Sequence, residues 1–504
     1  MLRLRILARD LGAPWLPAAG GFRAGGSRVE PFSNPFLQID TLHHGSRTLF
    51  AVRERGRALA GSFDECLAAV RAWPLEWQLL VIDHGLRTLT IECGRWGTAP
   101  LYLQVEGESL VGSWDAAELR AGALDPVLAP RFLALFDSPY SRRTLFTGIE
   151  RLTERATARW ADGRLTIDYP TPAPAPRPHA LREGADPPAI ADAILTASMH
   201  RWLDEAPAPF GAELSGGLDS GMVAVAAAGI RPPLHTYGLL QSGAAGEGQR
   251  ARREALIARF GFLDTAVPAH DYPPLAHGRP RVLPWEEIYY EATVAVCRRA
   301  AADGMAAMLN GIGGDELCLL HPSEGAAEEP DAFSPPAFLT PRAKNALQES
   351  VERAPRPAMS LSSIEGLAAS APLYLHQGLW PIAPLTTPEL YAFARRLPAE
   401  WRRERRLSRE WLARRGAPPL VTHPESTETF HPLFEHGFAR AARPLVRELF
   451  DDSRLHDGGW IDAGVWRTLY DDYCEGRLAA DFDPVPLYAA AVLELSLRRF
   501  EVAA

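Results

Sequence analysis

Five prolines fall within the eleven residues PTPAPAPRPHA at 170–180. Proline fixes φ and donates no backbone hydrogen bond, so this run can join neither a helix nor a sheet ladder and favours an extended, polyproline-like segment. The chain is therefore expected to fold as two units, residues 1–168 and 186–504, joined by a proline-rich linker at 169–185. The hydrophobic rhythm differs on the two sides. Upstream, LRLRIL, RTLFAVRE, WQLLVIDHG, LTIEC, PLYLQVEGESLVGS and RATARWADGRLTIDY are short apolar segments. Several alternate in period two, with Asp-Gly or Glu-Gly at the reversals, which predicts an antiparallel β-sandwich.

Downstream, Asp186 and Pro187 form an N-cap and first-turn pair, and Ile190, Ile194, Leu195, Met199, Trp202 and Leu203 recur at helical spacing. An apolar run then ends at Leu214, a small-residue helix follows, and LHTYGLL, LDTAV and AAMLN alternate with helical stretches. That alternation predicts a parallel sheet with crossover helices, an α/β half. From about residue 340 the pattern is mostly helical. The acidic, proline-rich stretch at 321–336 is expected to be a mobile surface loop.

Composition excludes several classes. With 53 basic and 62 acidic residues the formal charge is −9, which disfavours a nucleic-acid partner. The five cysteines are far apart, without a Cys-x-x-Cys pair, so neither a disulfide framework nor a zinc site is expected. The histidines His43, His44, His200 and His376 lack metal-ligand spacing. No signal-peptide core or apolar run of spanning length is present in the sequence, and the expectation is a cytoplasmic protein with no membrane partner.

The chemistry concentrates in SGGLDS, Ser215 to Ser220, between an apolar run and a small-residue helix. Gly216 and Gly217 permit a tight turn and close approach to an anion, Ser215 and Ser220 supply hydroxyl donors, and Leu218 begins the helix whose dipole favours negative charge. This predicts a phosphate cradle, without the Gly-Lys-Ser/Thr of the Walker type. Asp219 beside phosphates would repel them unless a divalent cation bridged the two, and Mg²⁺ takes one or two carboxylates together with phosphate oxygens. A second carboxylate is therefore needed nearby. GIGGDEL offers Asp315 after a second glycine turn containing Gly311, Gly313 and Gly314. Asp219 and Asp315 are the expected ligands of one Mg²⁺, and the two turns together point to nucleotide chemistry.

SGGLDS resembles the pyrophosphate-binding loop of the N-type ATP pyrophosphatases, and GIGGDEL is similar to an element of asparagine synthetases and β-lactam synthetases. GRWGTAPLYLQ (94–104), LVGSWDAAEL (110–119) and TLFTGIERLTERATARW (144–160) resemble the glutaminase-type, Ntn-hydrolase-like domain of that superfamily. VRELFDDSRLHDGGWIDAGVWRTLYDDYCEGR and LYAAAVLELSLRRF look most like lasso-peptide cyclases. The resemblance implies an ATP-dependent, AMP-forming carbon–nitrogen ligase with ATP and Mg²⁺ at this site. It would adenylate an Asp or Glu side chain of a precursor peptide, which the peptide's N-terminal amine then attacks to close a macrolactam. It also implies a leader peptidase and a leader-peptide-binding protein as partners.

Glutamine-hydrolysing members place a cysteine directly after the initiator methionine, where this chain has Leu2, so ammonia cannot be released by that route and the first domain is expected to be structural. Asparagine synthetases carry a glutamate and β-lactam synthetases a tyrosine where this chain has Ile312, which cannot accept a proton. Lasso cyclases have a TKG-like segment where this chain reads Thr422, His423, Pro424. The cation that segment supplies is expected from a protonated His423 or from WRRERRLSREWLARR (401–415), through Arg405 or Arg406, with Arg406 taken as the catalytic candidate. The alternatives are a small-molecule amide or β-lactam synthetase and a catalytically silent peptide-binding scaffold.

Overall fold

The computed structural model describes residues 1–276, 282–321, 324, 334–425, 427 and 429–500, with the side chains of 244 and 245 excepted. Most of the acidic stretch at 321–336 lies outside the described residues.

Residues 2–168 form two antiparallel sheets. One orders its strands Ile149–Leu152, Leu101–Glu106, Ser109–Ser113, Leu2–Leu7, Ser27–Pro31, Gly21–Ala24 and Leu16–Ala18. The other orders Arg164–Asp168, Thr157–Ala161, Thr88–Cys93, Trp77–Asp83, Arg47–Glu54 and Leu37–His44. Period-two alternation assigns each face. Leu4, Leu103 and Leu110 of the first sheet share one buried core with Phe50, Leu80 and Ile82 of the second. The opposite residues, Leu49, Ala51 and Leu79, are covered by the helix Phe63–Arg71, and Tyr102 and Ile149 by the helix Leu128–Leu135. The sandwich is therefore flanked by helices on both sides. Leu2 is fully buried in a central strand, paired with Pro31.

The second half is built on a five-stranded parallel sheet in the spatial order Leu263–Pro268, His235–Leu240, Phe210–Glu213, Ala307–Leu309, Trp380–Ile382. The helix Pro187–Leu203 begins at Asp186, whose carboxylate accepts Ala189 N–H at 3.2 Å. The chain lays down the central strand first, adds two strands on one side, then returns to add two on the other. The reversal falls between Phe210–Glu213 and Ala307–Leu309, and ligands of open parallel sheets bind beyond the strand ends at such a point. SGGLDS follows the first of these strands and GIGGD the second.

The proline-rich segment lies against the second half: Ala173 N–H donates to Arg356 O and His179 N–H to Arg396 O, both at 2.9 Å. The joint itself centres on Glu54, which is 1% exposed. Its Oε1 accepts the indole N–H of Trp202 at 2.6 Å and of Trp380 at 2.7 Å, one from each of two elements of the parallel-sheet half. Burial pushes the Glu54 carboxyl up to about 7. The C-terminal helix Val485–Phe500 shares a core with Leu128, Phe132 and Leu133, so the halves are fused on two fronts. Among the described residues no helix is long and apolar enough to cross a membrane.

Candidate active site

The loop between Glu213 and Leu218 is held by its own hydroxyls and by a neighbouring helix. Ser215 N–H donates to Ser220 Oγ at 3.0 Å, the two hydroxyls lie 2.9 Å apart, and Gly217 N–H donates to Ser215 Oγ at 3.1 Å. Gly216 takes φ +88°, a left-handed conformation that favours glycine. The helix Leu218–Ile230 opens at Gly217 with no side-chain cap, leaving its first-turn N–H groups turned toward the strand ends.

Behind the loop runs the helix Gly243–Phe260. Gln249, fully buried, donates through Nε2 to Ser215 O at 3.0 Å and Leu239 O at 2.9 Å, and accepts Gln241 N–H at 2.9 Å. Arg252 Nε donates to Gly216 O at 3.0 Å, and Arg253 forks onto Asp264. In the sequence this stretch has the composition of a charged helix, and these supports are not apparent there. The available signal is their spacing: 249, 252, 253 and 256 form one helix face, and that face is buried although three of its members are polar.

The second turn packs directly on the first. A Cβ at Gly314 would lie 2.0 Å from Asp219 Cγ, so only glycine lets the two turns meet with the Asp219 carboxylate between them. Ile312 N–H donates to Asn310 Oδ1 at 3.2 Å, and the Ile312 side chain packs into the core.

Asp219 and Asp315 converge on one cation, the Arg405 guanidinium. Its Nη2 donates to Asp219 Oδ1, and its Nη1 lies 3.1 Å from Asp315 Oδ1. Asp219 is 19% exposed and Asp315 78%. Burial pushes the Asp219 carboxyl up to about 6; Arg405 pulls the other way, and Asp315 and Glu316 add like charge that reinforces the rise. Beneath the loop, the Tyr374 hydroxyl donates to Glu213, whose carboxyl burial pushes up to about 7.

Arg405, not Arg406, is the arginine at this site. Glu404 and Arg405 take φ of 52° and 58°, which breaks the run 401–415 into separate helical pieces and turns Arg405 inward. Arg406 begins the next helix, pairs with Glu410 at 2.6 Å and lies 4.1 Å over Trp401. His423 is exposed at the end of the short helix Pro419–Thr422, with its Nδ1 3.0 Å from Thr422 Oγ1, and among the described residues it makes no hydrogen bond or ion pair with Asp219 or Asp315.

The donor set fits a magnesium-bound nucleotide. Two carboxylates within reach of one guanidinium are hard oxygen ligands able to face one small divalent ion, leaving other positions to phosphate oxygens. Arg405 Nε is buried without a hydrogen-bond partner among the described residues, a donor placed to take a phosphate oxygen. No group of three or more His, Cys, Asp or Glu able to hold a metal occurs among the described residues.

The fold thus brings two glycine turns, each carrying a carboxylate, together at the switch point of a parallel sheet. Residues 191–356 match the family model described as asparagine synthase. Among solved structures, the chain aligns with an NMN synthetase from Francisella tularensis at 12% identity and a TM-score of 0.25, over 63% of this chain and 92% of that one. A search of curated proteins returns no match.

Proposed function

We propose that this protein is an ATP-dependent, AMP-forming carbon–nitrogen ligase acting on a peptide, a lasso-peptide cyclase. It would adenylate an Asp or Glu side chain and join it to the peptide's own N-terminal amine, releasing AMP and pyrophosphate. The observation that carries this reading is the convergence of Asp219 and Asp315, from loops after adjacent parallel strands, on the single Arg405 guanidinium.

Asp219 and Asp315 would hold Mg²⁺, which when bound offsets the negative charge of the triphosphate. Ser215, Gly216, Gly217, Ser220 and the helix start at Leu218 gather the leaving pyrophosphate, and Gln249 and Arg252 fix the loop so that its donors are preorganised. Arg405 bears the cationic role for which the sequence offers His423, Arg405 and Arg406. The match of residues 191–356 to the asparagine synthase family model supports the ligase chemistry. A leader peptidase and a leader-binding protein are the partners such a reaction requires.

The test is incubation of the chain with a candidate precursor peptide and ATP. Loss of one water from the peptide with equimolar AMP supports cyclisation. An unchanged peptide, or ADP in place of AMP, contradicts it.

A further inference from the structure

Resting on the ligase reading above, we propose that Arg402 is a positioning residue of this site: it clamps the chain leaving the second glycine turn to the segment that bears Arg405, and so sets the Arg405 guanidinium against Asp219 and Asp315 without touching either.

One guanidinium holds three points of the chain together. Arg402 is fully buried. Its Nη1 donates to Leu319 O at 2.7 Å, just beyond the short helix Gly314–Leu317 that carries Asp315. Its Nη2 reaches both Glu324 carboxylate oxygens, at 2.5 and 2.7 Å, and its Nε donates to Leu397 O at 3.1 Å. The Leu319 carbonyl takes a second guanidinium through Arg395 Nη1, and Arg395 Nη2 lies 3.2 Å from His321 Nδ1. His321 N–H donates to Glu324 Oε2 at 2.7 Å. Burial works to raise the Glu324 carboxyl, but its hydrogen bonds from Arg402 and the His321 backbone outweigh that and hold it below the ordinary carboxylate range. The pair is therefore charged at neutral pH.

The short kink between Arg402 and the helix Arg406–Arg414 is tied at both ends. Glu404 and Arg405 are left-handed, and Arg409 Nε donates back to Glu404 O at 2.6 Å. Arg402 thus fixes the kink to the Asp315 side of the site, and Arg409 fixes it to the helix that follows. A buried ion pair is a costly way to join two segments, since apolar side chains of similar volume often stabilise as well; what it adds here is geometry. The planar fork sets direction as well as distance, which a lysine ammonium would not do.

The first measurement needs no ligand. A crystal structure of Arg402→Met should show Arg405 withdrawn from Asp219 and Asp315, and Arg405 left on both carboxylates would overturn the proposal. The second is a double-mutant cycle on the full chain, reading affinity for Mg²⁺ with α,β-methylene-ATP by calorimetry. Arg402→Met and Arg405→Ala should each weaken binding about tenfold. The double variant should bind hardly more weakly than Arg405→Ala, because Arg402 acts only through Arg405. Losses that multiply to about 100-fold would mark Arg402 as a general support of the fold and overturn the proposal. Where Arg402→Met does not fold, Glu324→Gln, which spares the Leu319 contact, replaces it in both measurements. Its loss of about threefold should vanish in the Arg405→Ala background, and a loss that persists there counts against the proposal. Failure of the wild type to bind the nucleotide would defeat the ligase reading separately, with the crystallographic result still deciding the role of Arg402.

Discussion

Arg405 donates to the Asp219 carboxylate across 186 residues of sequence, and the same guanidinium reaches Asp315. A buried carboxylate beside two others is costly to charge, and the guanidinium offsets that cost. Were Mg²⁺ to take both carboxylates, as proposed, Arg405 would be free to meet the phosphates.

Removing this cation should therefore act on the nucleotide step. A charge-assisted hydrogen bond is worth about 1.5–3 kcal/mol, so Arg405→Ala should slow AMP formation roughly 10- to 100-fold. Arg406→Ala should stay within about twofold, because its partners Glu410 and Trp401 lie on the surface of its own segment. AMP quantified by chromatography against time checks both.

Asp219 titrates in an informative window. Its folded value near 6 stands above the ordinary 3.8, so in the ligand-free protein the carboxyl is protonated below about pH 6. Metal binding needs the charged form. Affinity for Mg·ATP should thus be level above about pH 7 and fall by about tenfold per pH unit well below pH 6. Calorimetric titration of a non-hydrolysable ATP analogue from pH 5 to 8 measures this. Asp219→Asn should bind weakly throughout, without the pH step.

Gly314 tests the meeting of the two turns. Gly314→Ala places a methyl 2.0 Å from Asp219 Cγ, so the carboxylate or the turn must shift. Nucleotide affinity should drop severely, while overpacking of this kind costs about 1–3 kcal/mol of stability. A folded circular-dichroism spectrum with lost Mg·ATP binding is the expected pair of results.

Glu54 makes the joint between the halves sensitive to pH. Its folded value near 7 is raised from 4.5, so the folded state holds the proton more tightly than the unfolded one. Its contribution to stability is full below about pH 4.5 and is lost as pH rises toward 7. Glu76 and Glu213 are raised to about 7 as well and act in the same sense. Glu54→Gln should make the decline of Tm between pH 5 and 7.5 shallower than in the wild type, as read by scanning calorimetry.

What the sequence reveals here follows from how local each feature is. SGGLDS and GIGGD are legible because glycine conformation, hydroxyl donors and a carboxylate lie within a few adjacent residues at the ends of apolar runs. The parallel sheet is legible from the alternation of those runs with helices. The choice between Arg405 and Arg406 is not legible, because it depends on two left-handed residues, Glu404 and Arg405, inside a stretch whose composition is that of one charged helix. Gln249 is hidden for a related reason: it is a polar residue on a buried helix face, satisfied by the carbonyls of Ser215 and Leu239 and by the Gln241 N–H, all distant from its own segment's pattern.

In the proposed function Asp219 and Asp315 share one metal on a nucleotide. The most direct test is a crystal structure of the chain with Mn²⁺ and α,β-methylene-ATP, in which anomalous scattering locates the ion. The expected result is a manganese peak between the two carboxylates and the phosphates, with Arg405 moved off Asp219 and the β- and γ-phosphates on the loop at 215–220. A nucleotide bound elsewhere, or an ion that leaves Asp219 still paired with Arg405, would contradict it.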